Sequence, residues 1–393
     1  MKLIDECKKL EQKMIETRRR LHRCPEIGDE LPLTREAVCA YLDEAGIPYR
    51  KNSLDDGVIV DICGKEGGKT LAFRADMDAL HVEEETPVPF RSQIPGQMHA
   101  CGHDAHTAVL LAVAEMLHSC RDRFRGTARL LFQTGEETAT GALNMLREGA
   151  LEGVDAILCM HVASMDEKGF RTGNIAAVPG PVSSFKDKFI IRVKGKGAHG
   201  AYPHKGIDPI AVAARIHIAF DELCAREIRT DIPAVLTVGS FVAGEDHNTI
   251  PETAEMKGSI RTQDEAVSEF LLRRMREICE YTAKAFGAEA EFVHIKGSRA
   301  VFNDPALCQV LWRAVKKEWG EDRLLTAYSA PRMGSDDFAN YASKVPGVYF
   351  HLQTANPEKG IFGGGHTPRF HLDEDALLGG LVTYVATALE YLA

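Results

Sequence analysis

The feature that most constrains this chain is an alternation of strand and helix patterns, interrupted once. Thr127–Gln133 reads as a strand, Thr140–Glu148 as a helix ending at Gly149, and Val154–Met160 as a strand. Joints this short between strand, helix and strand imply a parallel sheet with flanking helices. Upstream, residues 2–23 read as one amphipathic helix, with Leu3, Cys7, Leu10, Met14 and Leu21 at three- and four-residue spacing, broken by Pro25 and Gly28. Thr34 can cap a second helix that stops at Gly46. Val58–Cys63 and Thr70–Ala75 read as strands joined by a turn at Gly64–Gly68, and 81–103 as a long loop. Asp104 stands where a cap would stand, before a helix over Ala105–His118.

The interruption has a different order. Phe185–Val193 is strand, Asp208–Cys224 helix, Ala234–Ala243 and Thr253–Arg261 strands, Asp264–Phe286 helix, and Glu289–Ile295 strand. This βαββαβ order is the ferredoxin-like unit, which closes on itself as a small α+β domain. The alternation then resumes: helix 304–319, a short strand near 324–328, helix 335–341, strand 347–352 and helix 373–391. The expectation is an α/β fold with a mixed, mostly parallel sheet, formed by residues 1–183 and 297–393, with an α+β domain inserted at 184–296. A length of 393 residues suits two or three domains at roughly 150 residues each. Hydrophobic residues at 45% suffice for a large core.

Charge narrows the partners. Lys+Arg 47 against Asp+Glu 57 leaves a net charge of −10, which argues against nucleic acid as the main partner. No apolar stretch reaches the roughly 18 to 20 residues that span a bilayer, and the first residues lack a secretory pattern. Ten cysteines are scattered with no C-x-x-C pair, which fits a reducing cytoplasm. The expected partner is therefore a small molecule, with no nucleic acid and no membrane.

Chemistry collects just past the strands. Asp76 and Asp78 follow the strand 70–75, Glu136 and Glu137 follow 127–133, and His161 ends 154–160. Open α/β sheets bind ligands at the carboxyl ends of their strands, so these groups should converge on one edge. Met98–Asp104 adds Cys101 and His103 around Gly102, and a late loop adds Gly363-Gly364-Gly365-His366. Thiolate, imidazole and carboxylate are the ligands that borderline divalent metals take. In Glu136-Glu137 one carboxylate can hold a metal while its neighbour works as a base on water. A cysteine hydrolase built on Cys101 and His103 is a rival, but residues two apart rarely make a nucleophile–base pair.

The motifs as a set resemble a known family. Arg74–Leu80, Met98–His106, Gln133–Glu137, Met160-His161, Gly195–His199, Asn248–Pro251, Met333–Phe338 and Gly365–Phe370 occur in the order found in the dinuclear-metal amidohydrolases. That family includes aminoacylases, hippurate hydrolase, indole-acetyl-amino-acid hydrolases and N-acetyl-diaminopimelate deacetylase; carboxypeptidase G and the aminotripeptidases are more distant. The resemblance implies a zinc-exopeptidase-like fold and hydrolysis of N-acyl amino acids to a carboxylic acid and a free amino acid. It implies two divalent metal ions per subunit, Zn, Mn, Co or Ni. Cys101 would bridge them, and His103, Glu137, His161 and His366 would complete their shells. Glu136 would be the general base and then the acid, with Asp78 orienting a ligand histidine. His199, in the inserted domain, would reach the other subunit's site in a homodimer (or higher homo-oligomer) and stabilise the oxyanion. Asn248 and Arg261 would sit near the substrate carboxylate. A dipeptidase or carboxypeptidase of the same family is the alternative substrate reading, and a non-catalytic ligand-binding homologue ranks last.

Overall fold

The structure is a computed structural model and describes residues 2–165, 167, 169–362 and 364–393. Gly363 of the glycine loop therefore lies outside the described residues. The chain forms two compact units. Residues 1–182, 301–330 and 336–393 make one, and Ser183–Ala300 with Pro331–Ser335 make the other.

The first unit is built on an eight-stranded sheet. Its order is Tyr49–Lys51, Val58–Cys63, Arg125–Gln133, Lys65–Asp76, Ala156–Ala163, Gly347–Gln353, Ile175–Ala176 and Leu324–Leu325. The central strands from Arg125–Gln133 to Gly347–Gln353 are parallel, while Val58–Cys63 pairs antiparallel with Arg125–Gln133. The sheet is thus mixed, as expected. Alternating side chains feed two cores. Leu71, Phe73 and Leu158 join one cluster, with the helices His103–Ser119 and Leu377–Tyr391. Ala72, Ile157 and Cys159 join the other, with Phe338 and Tyr341. His103–Ser119 is buried almost all round, as a helix apolar on every face must be.

Several elements depart from expectation. Residues 2–23 form two α-helices, Leu3–Cys7 and Glu11–Arg23, joined by a 3-10 turn at Lys8–Leu10. Thr34 caps nothing: it lies inside the helix Pro32–Glu44, and its hydroxyl donates to Glu26 at 2.8 Å. Gly64–Gly68 is no simple turn, since Lys65–Asp76 is one strand with a register shift between Lys65 and Thr70. The helix expected at 335–341 shrinks to Ala339–Ala342: the Asp336 carboxylate accepts from the Phe338 N–H at 2.8 Å, and that of Asp337 turns to Arg74 on another element. His161 does not end its strand, which runs on to Ala163.

The second unit has a four-stranded antiparallel sheet in the order Ala234–Ala243, Thr253–Thr262, Phe185–Lys194, Glu289–Ser298. With its two helices this is the ferredoxin-like arrangement. Phe189, Ile191 and Val193 alternate inward against Val212, Ile216 and Phe220 of one helix and Leu271, Met275 and Cys279 of the other. Asp208 and Asp264 cap those helices, accepting from the main chain at Ile210 and Val267. No helix among the described residues is long and apolar enough to cross a membrane.

Candidate metal centre

The strand ends of the first unit converge as the sheet topology requires. Asp76 closes its strand, Asp78 follows two residues later, and Gln133 precedes the turn that carries Glu136 and Glu137. That turn needs glycine. Gly135 has φ +53, and a Cβ there would stand 2.0 Å from an Asp29 carboxylate oxygen. Gly102 has φ +88, and its Cβ would stand 2.4 Å from Val162 Cγ2. Only glycine lets Cys101 and His103 press this closely on the strand that carries His161.

Five candidate ligands then meet. Ligand atoms of Cys101, His103 and His161 lie within 4.8 Å of one another, and so do those of Cys101, Glu137 and His366. Cys101 belongs to both groups. Its Sγ is 3.4 Å from His161 Nε2. His161 Nδ1 is 2.6 Å from the Val162 carbonyl, which can only accept, so Nδ1 carries the proton and Nε2 turns its lone pair to Cys101. His366 Nε2 is 3.2 Å from Glu137 Oε1, on an exposed loop whose backbone takes φ +60 at His366.

The residues fit a metal pair. His103 is fully buried, yet neither ring nitrogen makes a hydrogen bond; the nearest carboxylates, of Asp78 and Asp76, stand at 3.4 and 3.5 Å. Such orphaned groups are expensive unless something is bound. Burial pushes the Cys101 thiol up to about 12, so a divalent cation is what would stabilise the thiolate there; it pushes His161 down to about 4, which leaves the imidazole neutral and able to ligate.

Asp78 lies beneath the centre. Its carboxylate accepts the main-chain N–H of Glu136 at 3.0 Å and of Glu137 at 3.1 Å, and faces His103 Nδ1. Glu136 points toward Asp336 and Asp337, with oxygens of all three within 4.8 Å. Burial, then these two carboxylates, hold Glu136 well above the usual carboxylate range. Asp104 is no cap. It is buried inside the helix and accepts from Arg18 Nε at 2.7 Å and His22 Nδ1 at 2.8 Å.

Three of the residues expected at the site, His199, Asn248 and Arg261, lie in the second unit. His199 and Asn248 share an exposed two-stranded ribbon in which His199 pairs with Thr249, and Gly200 N–H donates to the Asn248 carbonyl at 2.7 Å. Arg261 is half-buried, and its guanidinium donates to the Met333 carbonyl at 2.9 Å. The sequence reading assigned no role to Arg74, His106, Asp336 or Asp337. The acidic pair before Phe338 was the only signal for the last two, and nothing local shows that it faces Glu136.

A chain with this sheet, this inserted unit and this cluster belongs to a class of hydrolases that known proteins now define. Residues 72–390 match the peptidase family M20/M25/M40, and the chain belongs to that family. It is 35% identical over 369 residues to an N-acetyl-L-cysteine deacetylase of Bacillus subtilis (strain 168), covering 94% of this chain and 86% of that protein. It is 34% identical over 394 residues to thermostable carboxypeptidase 2 of Saccharolobus solfataricus, covering 99% and 98%. A solved Bacillus subtilis protein, described as a dinuclear metal binding peptidase from the M20 family, superposes with a TM-score of 0.85 at 34% identity, covering 98% of this chain and 99% of that one.

Proposed function

We propose that this protein is a metal-dependent amidohydrolase that cleaves the amide bond of N-acyl amino acids, giving a carboxylic acid and a free amino acid. The observation that carries the reading is the pair of ligand groups sharing Cys101, with Glu136 next in sequence to Glu137. The deacetylase relative supports the acyl-amino-acid substrate. The carboxypeptidase relative favours a second reading, hydrolysis of short peptides at the same centre.

Two divalent ions (Zn, Mn, Co or Ni) would be held by Cys101, which is common to both ligand groups, together with His103, His161, Glu137 and His366. Bound there, the ions supply Lewis-acid activation of water and of the scissile carbonyl. Glu136 takes a proton from the attacking water on its carboxylate and returns it to the leaving nitrogen. Asp78 holds the Glu136-Glu137 turn by two main-chain hydrogen bonds, so base and ligand move together. His199 serves as the oxyanion donor, supplied by the second copy of a cytoplasmic homodimer whose inserted unit is lid and dimer contact. Asn248 and Arg261 receive the substrate carboxylate; the adjacency of His199 and Asn248 on one ribbon supports a joint role.

Purified protein loaded with manganese or zinc, offered N-acetyl-methionine, hippurate and a few dipeptides, tests the proposal. Free amino acid released from the acylated substrates supports it. Turnover of dipeptides alone replaces it with the peptidase reading.

A further inference from the structure

Behind the centre lies a buried ionic network that also faces the proposed ligand His103, with Asp76 3.5 Å from its Nε2. Arg74 is fully buried. One arm of its guanidinium donates to Asp76 at 2.6 Å and the other to Asp337 at 2.6 Å, while its Nε donates to Gln133 Oε1 at 2.9 Å. Asp336 stands 3.4 Å away, so one cation faces three carboxylates. Buried ion networks seldom add net stability over an apolar core of the same shape. Holding a fixed geometry is the use that such a network serves best.

The geometry follows along two arms. On the first, Asp76 meets His106 Nδ1 at 2.5 Å, and His106 Nε2 accepts the Val162 N–H at 2.9 Å. Because the main chain donates to Nε2, the proton of His106 sits on Nδ1, directed at Asp76. Val162 in turn accepts from His161 through its carbonyl. This arm therefore fixes the main chain that aims a proposed metal ligand. On the second arm, Asp337 accepts from Arg74, from Gln133 Nε2 at 2.8 Å and from the Ala142 N–H at 3.0 Å. So anchored, its own N–H points at Glu136 Oε1, 3.4 Å away. Tyr341 locks Gln133 from behind, its hydroxyl donating at 2.9 Å.

We infer that Arg74 is a positioning residue that sets two things at once: the aim of His161 through Asp76 and His106, and the place of Glu136 through Asp337. The inference rests on the proposed amidohydrolase reading. Arginine is required because only a planar fork serves two carboxylates and an amide oxygen together; lysine offers a single ammonium.

Wild type, Arg74→Lys, Asp337→Asn and His106→Asn are compared in two readouts: zinc retention against a graded chelator, and kcat and KM for an N-acetyl amino acid at saturating zinc. Asn at 106 keeps a donor near Asp76 and loses the acceptor for Val162. It is expected to weaken zinc retention roughly 10–100-fold and leave kcat at saturating zinc within about threefold. Asp337→Asn is expected to lower kcat about tenfold or more, with KM and zinc retention within about twofold. Arg74→Lys should show both losses; if it fails to fold, the two single-arm variants decide. Variants that keep kcat and zinc retention within about twofold of wild type, whatever their melting temperatures, overturn the inference and leave a purely structural network. So does loss of both readouts in each single-arm variant, because the arms are then not separate. If wild type binds zinc but hydrolyses no acylated amino acid, the substrate reading fails, and the zinc retention of His106→Asn still decides the first arm.

Discussion

Gly102→Ala is the perturbation for which the structure gives the plainest magnitude. The residue sits at φ +88, where an L side chain costs roughly 1–2 kcal/mol. The added Cβ would stand 2.4 Å from Val162 Cγ2 and 3.3 Å from the Phe370 ring, so Val162 or the loop must shift. Overpacking of this kind costs about 1–3 kcal/mol. The sum is roughly 2–5 kcal/mol. Both ways of relaxing the clash disturb proposed ligands, since Cys101 and His103 flank the glycine and His161 precedes Val162. Both tryptophans, Trp312 and Trp319, lie in one helix of the first unit, so their fluorescence during urea unfolding reports that unit alone. Gly102→Ala should unfold at lower urea by that amount and retain less metal. Gly102→Ala with Val162→Ala should recover the packing share and not the backbone share, giving a coupling of about 1 kcal/mol or more. An alanine at 102 that unfolds within about 0.5 kcal/mol of wild type would refute the close approach of the Cys101 loop to the His161 strand.

Other expectations follow from the same geometry. Glu136→Gln should keep its metal and lose roughly 10²–10⁴-fold in kcat, checked by metal analysis beside steady-state kinetics. Cys101→Ala removes the atom common to both ligand groups, so the metal content of the protein after dialysis should fall below that of a Glu137→Gln variant, which touches one group. Asp104→Ala removes the buried acceptor shared by Arg18 and His22, leaving them Glu374 and Glu84, and should cost about 3 kcal/mol in the same urea assay. Glu84 gives a pH signature. Burial raises its carboxyl, but His22, Thr86 and the Ser92 main chain outweigh burial and bring it down to about 2 from 4.5. A depressed folded-state value contributes stability that is complete above 4.5 and lost as pH falls toward 2. Glu84→Gln should therefore flatten the decline in stability across that interval.

How far the sequence could be read depends on where each partner lies. Strands and helices with a clean period, such as Phe185–Lys194 and Glu265–Ala285, were legible because local patterning and tertiary burial agree. The candidate ligands were legible as chemistry: the sheet-edge rule placed Glu136, Glu137 and His161 at one edge, and the family resemblance supplied the set of five. Asp104 misled because its position in sequence fits a cap, while its partners Arg18 and His22 lie more than eighty residues upstream. The helix at 335–341 was overdrawn for the same reason: Asp337 is claimed by Arg74, Gln133 and Ala142, none of them local. Gly64–Gly68 carries the composition of a turn, yet Lys65 pairs with Arg125 across the sheet, and the extra residues are taken up as an irregularity in the strand.

The central claim is that hydrolysis at this site depends on metal held by Cys101 and its neighbours. The most direct test is one protein sample, assayed for bound metal and for hydrolysis of N-acetyl-methionine, before and after exhaustive chelation and after manganese or zinc is returned. The account predicts that turnover disappears with the metal and comes back with it, and that Cys101→Ala does not recover. Full activity in protein shown to contain no metal would contradict it.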